Sequence, residues 1–370
     1  MTEIVATTTG LYPLPDPAKR ELSELKGHQK GDLISGDEGP EVRAAYERAR
    51  ETVVADQLDA GLDRIVEGQL RWDDVLAHPL IVSDAVEAGG IVRYYDNNNF
   101  YRDPRIVDEL APSGDVGAEL TAATELLDGA EPLTRIEGDA RDPTADTETT
   151  VDAFDGDAAA ATQAVLPGPY TLADLATDEF YDDEAELLAA VADLLAAEVE
   201  AFPTHATLFL HEPSYVVNPP GDGLDERASA AVDTVATATD ADVVVDTYWD
   251  SFEEKPYAHL LDADIDGVGF DFVAGDRDET LYCLNEYGCT DDVALGLVDG
   301  QNTLVEEPET VADRVEWVHD NVPATTFETT YVTHNTETFY LPVNRHREKL
   351  ATLAEGAALA RDRLETEVTA

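Results

Sequence analysis

Acidic, aromatic and imidazole side chains gather at the ends of short β-branched runs. His211-Glu212-Pro213 closes the apolar run Ala206 to Leu210, and Asp246-Thr247-Tyr248-Trp249 closes Val243 to Val245. Asp271 ends Gly267 to Phe270, and His334-Asn335-Thr336 follows Thr329 to Thr333. Carboxylates so placed can bind an ammonium group or hold a hard cation through oxygen. Asp246 and Asp271 are the pair suited to a cation, whereas the neighbouring Tyr248 and Thr336 are poor ligands for zinc. Among the histidines, His334 is the one kept as a conditional ligand with Asp271 or as an acid/base group. The alternative for His334 is an imidazole at the surface or behind the site. His205 and His211 lie six residues apart, about 20 Å along an extended strand, and cannot share an ion. Tyr94, Tyr95, Phe100 and Tyr101 flank Asn97, Asn98 and Asn99, so rings and amides stand together. Such a group can stack on and hydrogen-bond a flat heterocycle such as a pterin, or it can cap the end of the domain.

Other chemistries are missing their signatures. The glycines between Gly296 and Gly300 lack the spacing of a dinucleotide fingerprint, and there is no phosphate-binding G-x-x-x-x-G-K-[ST] loop. No G-x-S-x-G turn presents a serine nucleophile. Cys283 and Cys289 are too few for a disulfide framework and are not spaced as in a zinc ribbon, so they read as free thiols.

The elements that must position these residues alternate. β-Branched runs fall at about 2–9, 62–67, 90–96, 164–168, 206–211, 242–248, 266–272, 293–298 and 327–333. Stretches of helical period separate most of them: Asp182 to Phe202, Leu224 to Thr239, Pro308 to Asn321 and Pro342 to Leu364. Alternation of this kind implies parallel strands joined by right-handed crossovers. Eight units over this length predict an α/β fold, a single (β/α)8 TIM barrel spanning 1–370, with 90–96 as an excursion. Glu137 to Ala161, rich in Asp, Thr and Ala, has no apolar period and is expected to be an acidic, mobile inserted loop. In a barrel, loops at the C-terminal strand ends build the open face, which is where the carboxylates above are expected.

Composition bears on environment. Twenty-three Lys plus Arg against 80 Asp plus Glu give a net charge of -57, with only five lysines. Self-repulsion on that scale needs screening, and molar salt shortens the Debye length to about 3 Å, so a halophilic cytoplasm is the expected setting. No basic stripe exists to displace counterions from phosphates, which speaks against nucleic-acid binding. No run of about 18 apolar residues suggests a membrane span, and the N-terminus lacks the pattern of a signal peptide.

These strand ends, in this order, resemble the cobalamin-independent methionine synthase family. The resemblance rests on Thr8-Thr9-Gly10-Leu11-Tyr12-Pro13, Leu166-Pro167-Gly168-Pro169-Tyr170-Thr171, His211-Glu212-Pro213, Gly267 to Asp271 and Thr333 to Thr336. Similarity is greater to the family's metal-free N-terminal barrel, through Tyr94 to Tyr101, Asp246 to Phe252, Gly267 to Val273 and Gly296 to Asn302. The resemblance implies methyl transfer to homocysteine and a Glu212 that binds the amino group of an amino acid. It also places Asp246 where the catalytic barrels carry a zinc-binding His, Asp271 where they carry Glu, and Tyr248 and Thr336 where they carry Cys. Zinc is therefore not expected on this chain, and the catalytic residues are not assigned. Glu212, Asp246, Asp271, Asn97, Asn99 and Tyr101 are the expected substrate-binding residues. A folate-type or corrinoid methyl donor and homocysteine are the expected small-molecule ligands. Two readings stay open: a methionine-synthesis subunit acting with a separate zinc-bearing barrel, or a metal-free binding or scaffold module.

Overall fold

Val243, Val244 and Val245 are buried without regard to strand face, the mark of a parallel strand covered on both sides. The same continuous burial runs through Leu208 to Leu210 and Val293 to Leu295. Fully burying each such side chain is worth about 1.5–3 kcal/mol, so these runs fix the sheet before any polar group is placed. The computed structural model describes residues 2–23, 39–72, 76–95, 100–139 and 141–369.

Seven strands form the main sheet: β1 (Glu3–Ala6), β6 (Gln163–Pro167), β8 (Thr207–His211), β9 (Asp242–Asp246), β10 (Gly267–Asp271), β11 (Asp292–Val298) and β12 (Thr329–His334). Their order is β1-β12-β11-β10-β9-β8-β6, every pairing is parallel, and the sheet curls as a half-barrel. Helices Glu184–Val199, Asp225–Ala236, Pro308–Asn321 and Val343–Thr369 occupy the predicted crossovers.

The run expected at 62–67 is not a full strand. Ile65 alone bridges Thr162, its N–H donating to Ala161 and its carbonyl accepting from Gln163, while the Asp63 and Arg64 N–H groups donate to Ala6. This short segment therefore touches both edges of the seven-stranded sheet. The run at 90–96 is an excursion, as expected: β2 (Val86–Arg93) pairs antiparallel with β3 (Phe100–Ile106), and β3 pairs with β7 (Thr177–Asp178), outside the main sheet.

Over 137–161 the expected irregular loop contains a strand and two short helical turns. β4 (Leu133–Glu137) pairs antiparallel with β5 (Thr147–Val151), and a short helix, Ala158–Ala161, is capped by Asp157. The β5 side chains are exposed except for a half-buried Val151, so no apolar alternation marks the strand in the sequence. The hairpin is held from outside its own sequence, by Glu51 accepting from the Thr134 N–H and Thr52 from the Ile136 N–H. Cys283 and Cys289 are free thiols. No helix among the described residues is long and apolar enough to cross a membrane.

Candidate functional site

The C-terminal strand ends carry His211, Asp246, Asp271 and His334. Tyr331 of β12 packs edge-on against Phe209 of β8 inside the curl, at 5.7 Å between ring centres. Side chains alternate along a strand, so Thr333 and Asn335 share the face of Tyr331, and His211 that of Phe209.

His211 and Asp246 face each other on paired strands, with Nδ1 3.1 Å from Oδ2. The other ring nitrogen, Nε2, lies 2.7 Å from the Thr9 carbonyl oxygen. A carbonyl only accepts, so Nε2 carries a proton and Nδ1 is the nitrogen turned to the carboxylate. Burial holds the Asp246 carboxyl above its usual range, against the opposing effect of His211. The pair ties the loop after β1 to β8 and β9. Glu337, also buried and raised by burial, belongs to the same locus through its interaction with His211. The hydroxyls of Thr9 and Thr333 are buried here with no partner.

Asp271 is a different kind of carboxylate. It accepts from the peptide N–H groups of Trp249 (3.0 Å), Val273 (2.8 Å) and Ala274 (2.8 Å), and from Asn335 Nδ2 (3.0 Å). Four donors saturate it, so it fixes loops and is not open to a substrate or a metal. Trp249, which it holds, has φ +80. That left-handed conformation costs a non-glycine residue energy and persists only where surroundings enforce it.

Glu212 lies at the N-terminus of the Pro169–Leu175 helix and accepts from the Tyr170 and Thr171 N–H groups at 2.9 and 2.7 Å. Those are the N–H groups a helix leaves without internal partners. Burial nonetheless pushes the carboxyl up to about 7. A Cβ on Gly168 would lie 2.3 Å from the Glu212 carboxyl carbon, so only glycine admits this contact.

An aromatic rim covers the pair. The Tyr248 ring stands edge-on to His211 at 5.6 Å and to Trp249 at 4.8 Å. Tyr95, at φ +39, meets Trp249 edge-on at 5.8 Å and places its hydroxyl 2.5 Å from Ser214 Oγ. Tyr101 stacks on Tyr94 at 4.5 Å and donates to the Leu175 carbonyl, which makes it a support for the rim. Asn97 and Asn99 lie outside the described residues.

The conditional metal pair is corrected. Asn335 reaches Asp271, so His334, one residue earlier, faces the other way, towards His346 and Lys349. Burial lowers His334 to about 3 and His346 well below the usual imidazole range. The positions of the family's thiolates fit zinc no better. Tyr248 is buried in ring contacts, and the Thr336 hydroxyl is bonded to Glu337. Among the described residues no three His, Cys, Asp or Glu are arranged to hold a metal. Sequence reasoning placed Glu212, Asp246 and Asp271 at strand ends but missed His211, Glu337 and Trp249 as site residues. The adjacency of His211 to Glu212, and of Glu337 to Thr336, was the available signal.

Residues 139–323 match the model of the cobalamin-independent synthase N-terminal domain. The chain belongs to this family. A B12-independent methionine synthase from Shewanella sp. W3-18-1, solved in complex with selenomethionine, is similar over 98% of both chains, with TM-score 0.70 and 16% identity. A putative vitamin-B12 independent methionine synthase from Listeria monocytogenes is similar over 98% of both chains, with TM-score 0.61 and 16% identity. At that identity the likeness is one of fold. No curated protein matches the chain by sequence. Membership ties the chain to methionine biosynthesis in general.

Proposed function

We propose that this chain binds the amino acid and the methyl donor for methyl transfer to homocysteine, and that turnover takes place with a separate zinc-bearing barrel of the same family. The reading is supported by a mouth with strand-end carboxylates in which Tyr248 and Thr336 occupy what the sequence resemblance implies are the thiolate positions of the catalytic barrels. A free thiol of pKa about 8.5 is only a few per cent ionised at neutral pH, so without a metal the nucleophile is scarce. Of the residues expected to bind substrate, Asp246 remains in contact with a proton-bearing partner. Glu212 and Asp271 shape the mouth through loops and a helix terminus. The sheet with its Ile65 bridge is, in this reading, a (β/α)8 barrel whose second strand has shrunk to one residue, working in a salt-rich cytoplasm.

Methionine formation is to be assayed with this protein alone, with a single barrel carrying the zinc-binding His, Glu and Cys residues alone, and with both. Activity only with both, and no stoichiometric zinc on this chain by elemental analysis, is the expected outcome. Turnover by this chain alone overturns the helper role, and a partner unaffected by it removes the link.

A further inference from the structure

The β2–β3 hairpin departs from the charge of the rest of the chain. Val86 to Ile106 hold three arginines against three acids, whereas the whole chain has 23 basic residues against 80 acidic ones. Ile91 stands opposite Arg102, and Arg93 opposite Phe100. Directly opposed residues share a face of a sheet, so these four side chains form one face of the hairpin. The other face carries Tyr101, which stacks on Tyr94 of the aromatic rim. The face of four is open, with Ile91 68% and Phe100 51% exposed. The Arg93 guanidinium lies 5.8 Å from the Phe100 ring centre, and Arg102 donates to the Gly89 carbonyl. Neither arginine has a carboxylate partner among the described residues.

A complementary surface adjoins the hairpin. Tyr95 bonds Ser214 and meets Trp249, and close along the chain from those two residues Val216 and Asp250 line a cleft of about 780 Å³. Its carboxylates are Asp250, Glu253, Glu254, Asp278 and Glu279, while its lysine, Lys255, is bonded to Asp222 and Asp225 outside the lining. Aromatic surface borders it, since Tyr282 lines the cleft and the Tyr287 hydroxyl donates to Glu254. Of the nine large apolar side chains exposed among the described residues, five lie on or beside the β2–β3–β7 sheet, and two more are these tyrosines. Apolar exposure gathered in this way marks a contact surface.

We propose that a second copy of this chain docks here across a two-fold axis, the Ile91, Arg93, Phe100 and Arg102 face of each copy meeting the carboxylate-lined cleft of the other. Charge complementarity selects the occupant: the hairpin face offers unpaired arginines, the cleft offers carboxylates without arginine partners, and one chain supplies both. Because the two patches are neighbours, a two-fold axis makes both contacts at once and closes the assembly at two copies. Arginine pairs carboxylates at contact, and pairs partly buried in an interface are screened much less than exposed charges. Molar salt meanwhile suppresses the long-range repulsion between two chains that each carry -57. The inference does not rest on the proposed function.

Sedimentation equilibrium of the full chain in molar KCl is expected to give twice the mass of one chain. Two double variants test the contacts, Arg93→Glu with Arg102→Glu on the hairpin and Glu253→Lys with Glu279→Lys in the cleft. Each should weaken dimerisation at least about tenfold while leaving the circular dichroism spectrum unchanged. Mixed together, the two variants again oppose unlike charges at both contacts, and they should form a heterodimer. That rescue separates a lost contact from a folding defect. Phe100→Ala, which removes an exposed ring and no charge, should also weaken the dimer. A single-chain mass at every concentration overturns the proposal, as does a dimer that both folded double variants leave intact. A mixture that stays monomeric overturns the pairing of hairpin with cleft. A monomer whose arginine face binds a separate barrel of the family overturns the second copy as the occupant.

Discussion

Buried carboxylates in this protein divide by what they face. Asp271 meets four donors, Asp246 an imidazole, and Glu67 a single peptide N–H from Gln69 at 2.8 Å. Burial, with Glu119 nearby adding to it, therefore pushes the Glu67 carboxyl up to about 8. Its folded-state pKa lies above its unfolded value, so its contribution to stability is fully present below about 4.5 and is lost as pH rises through about 8. Glu67→Gln should abolish that loss. Melting temperatures of the two proteins should diverge from pH 5 to pH 8 in favour of the variant, and parallel curves would refute it. His334 acts at the other end: lowered to about 3, it adds stability above about 6.5 that is lost as pH falls through about 3. That carboxylates stand at strand ends is legible in the sequence, because an acidic residue after an apolar run marks the spot. Which of them is saturated is not, since the partners of Asp271 come from the separate loops of Trp249, Val273 and Asn335.

At the scale of elements, the sequence discloses strands whose burial is continuous and hides those without apolar signal. β8 to β12 lie within a few residues of their expected runs because each is an apolar stretch flanked by polar turns. β5 escapes because Thr147 to Val151 is almost wholly exposed and is ordered by pairing with β4, whose Arg135 bonds Thr149 and whose N–H groups are held by Glu51 and Thr52. Position 65 escapes in the opposite sense: the run from 62 to 67 is apolar enough for a strand, yet only one residue bridges. The turn after β6 shows how tightly strand end and helix start are coupled. Gly168→Ala would drive a methyl into the Glu212 carboxylate and push it off the Tyr170 and Thr171 N–H groups. A cost of about 1–3 kcal/mol is expected from forcing atoms into a filled site. Gly221→Ala, with nothing within 4 Å of the added methyl, should be close to neutral and serves as its control. Equal melting temperatures for the two variants would contradict the coupling.

For the whole molecule, the dominant number is the charge. The -57 is spread over helices and loops, and the ion pairs that the 23 basic residues form cannot offset 80 acidic ones. Many of those pairs are at the surface, such as Arg48 with Glu21 and Arg345 with Glu348, and exposed pairs contribute about 0–1 kcal/mol each. Folding brings the unpaired carboxylates together, so the compact state bears a repulsion the extended chain largely avoids. Raising ionic strength to about 1 M shortens the screening length to about 3 Å, less than the usual spacing of neighbouring surface charges, and should relieve most of it. The buried apolar strands are strengthened in the same direction by salts excluded from the surface. Thermal unfolding followed from low to molar KCl should therefore show a rising midpoint, steepest at the low end where screening changes fastest. Sodium sulfate at matched ionic strength should raise it further than KCl, because it adds exclusion to screening. A midpoint that is flat or falls with KCl would mean that the acidic surface is neutralised in some other way, and the salt-rich setting would have to be abandoned.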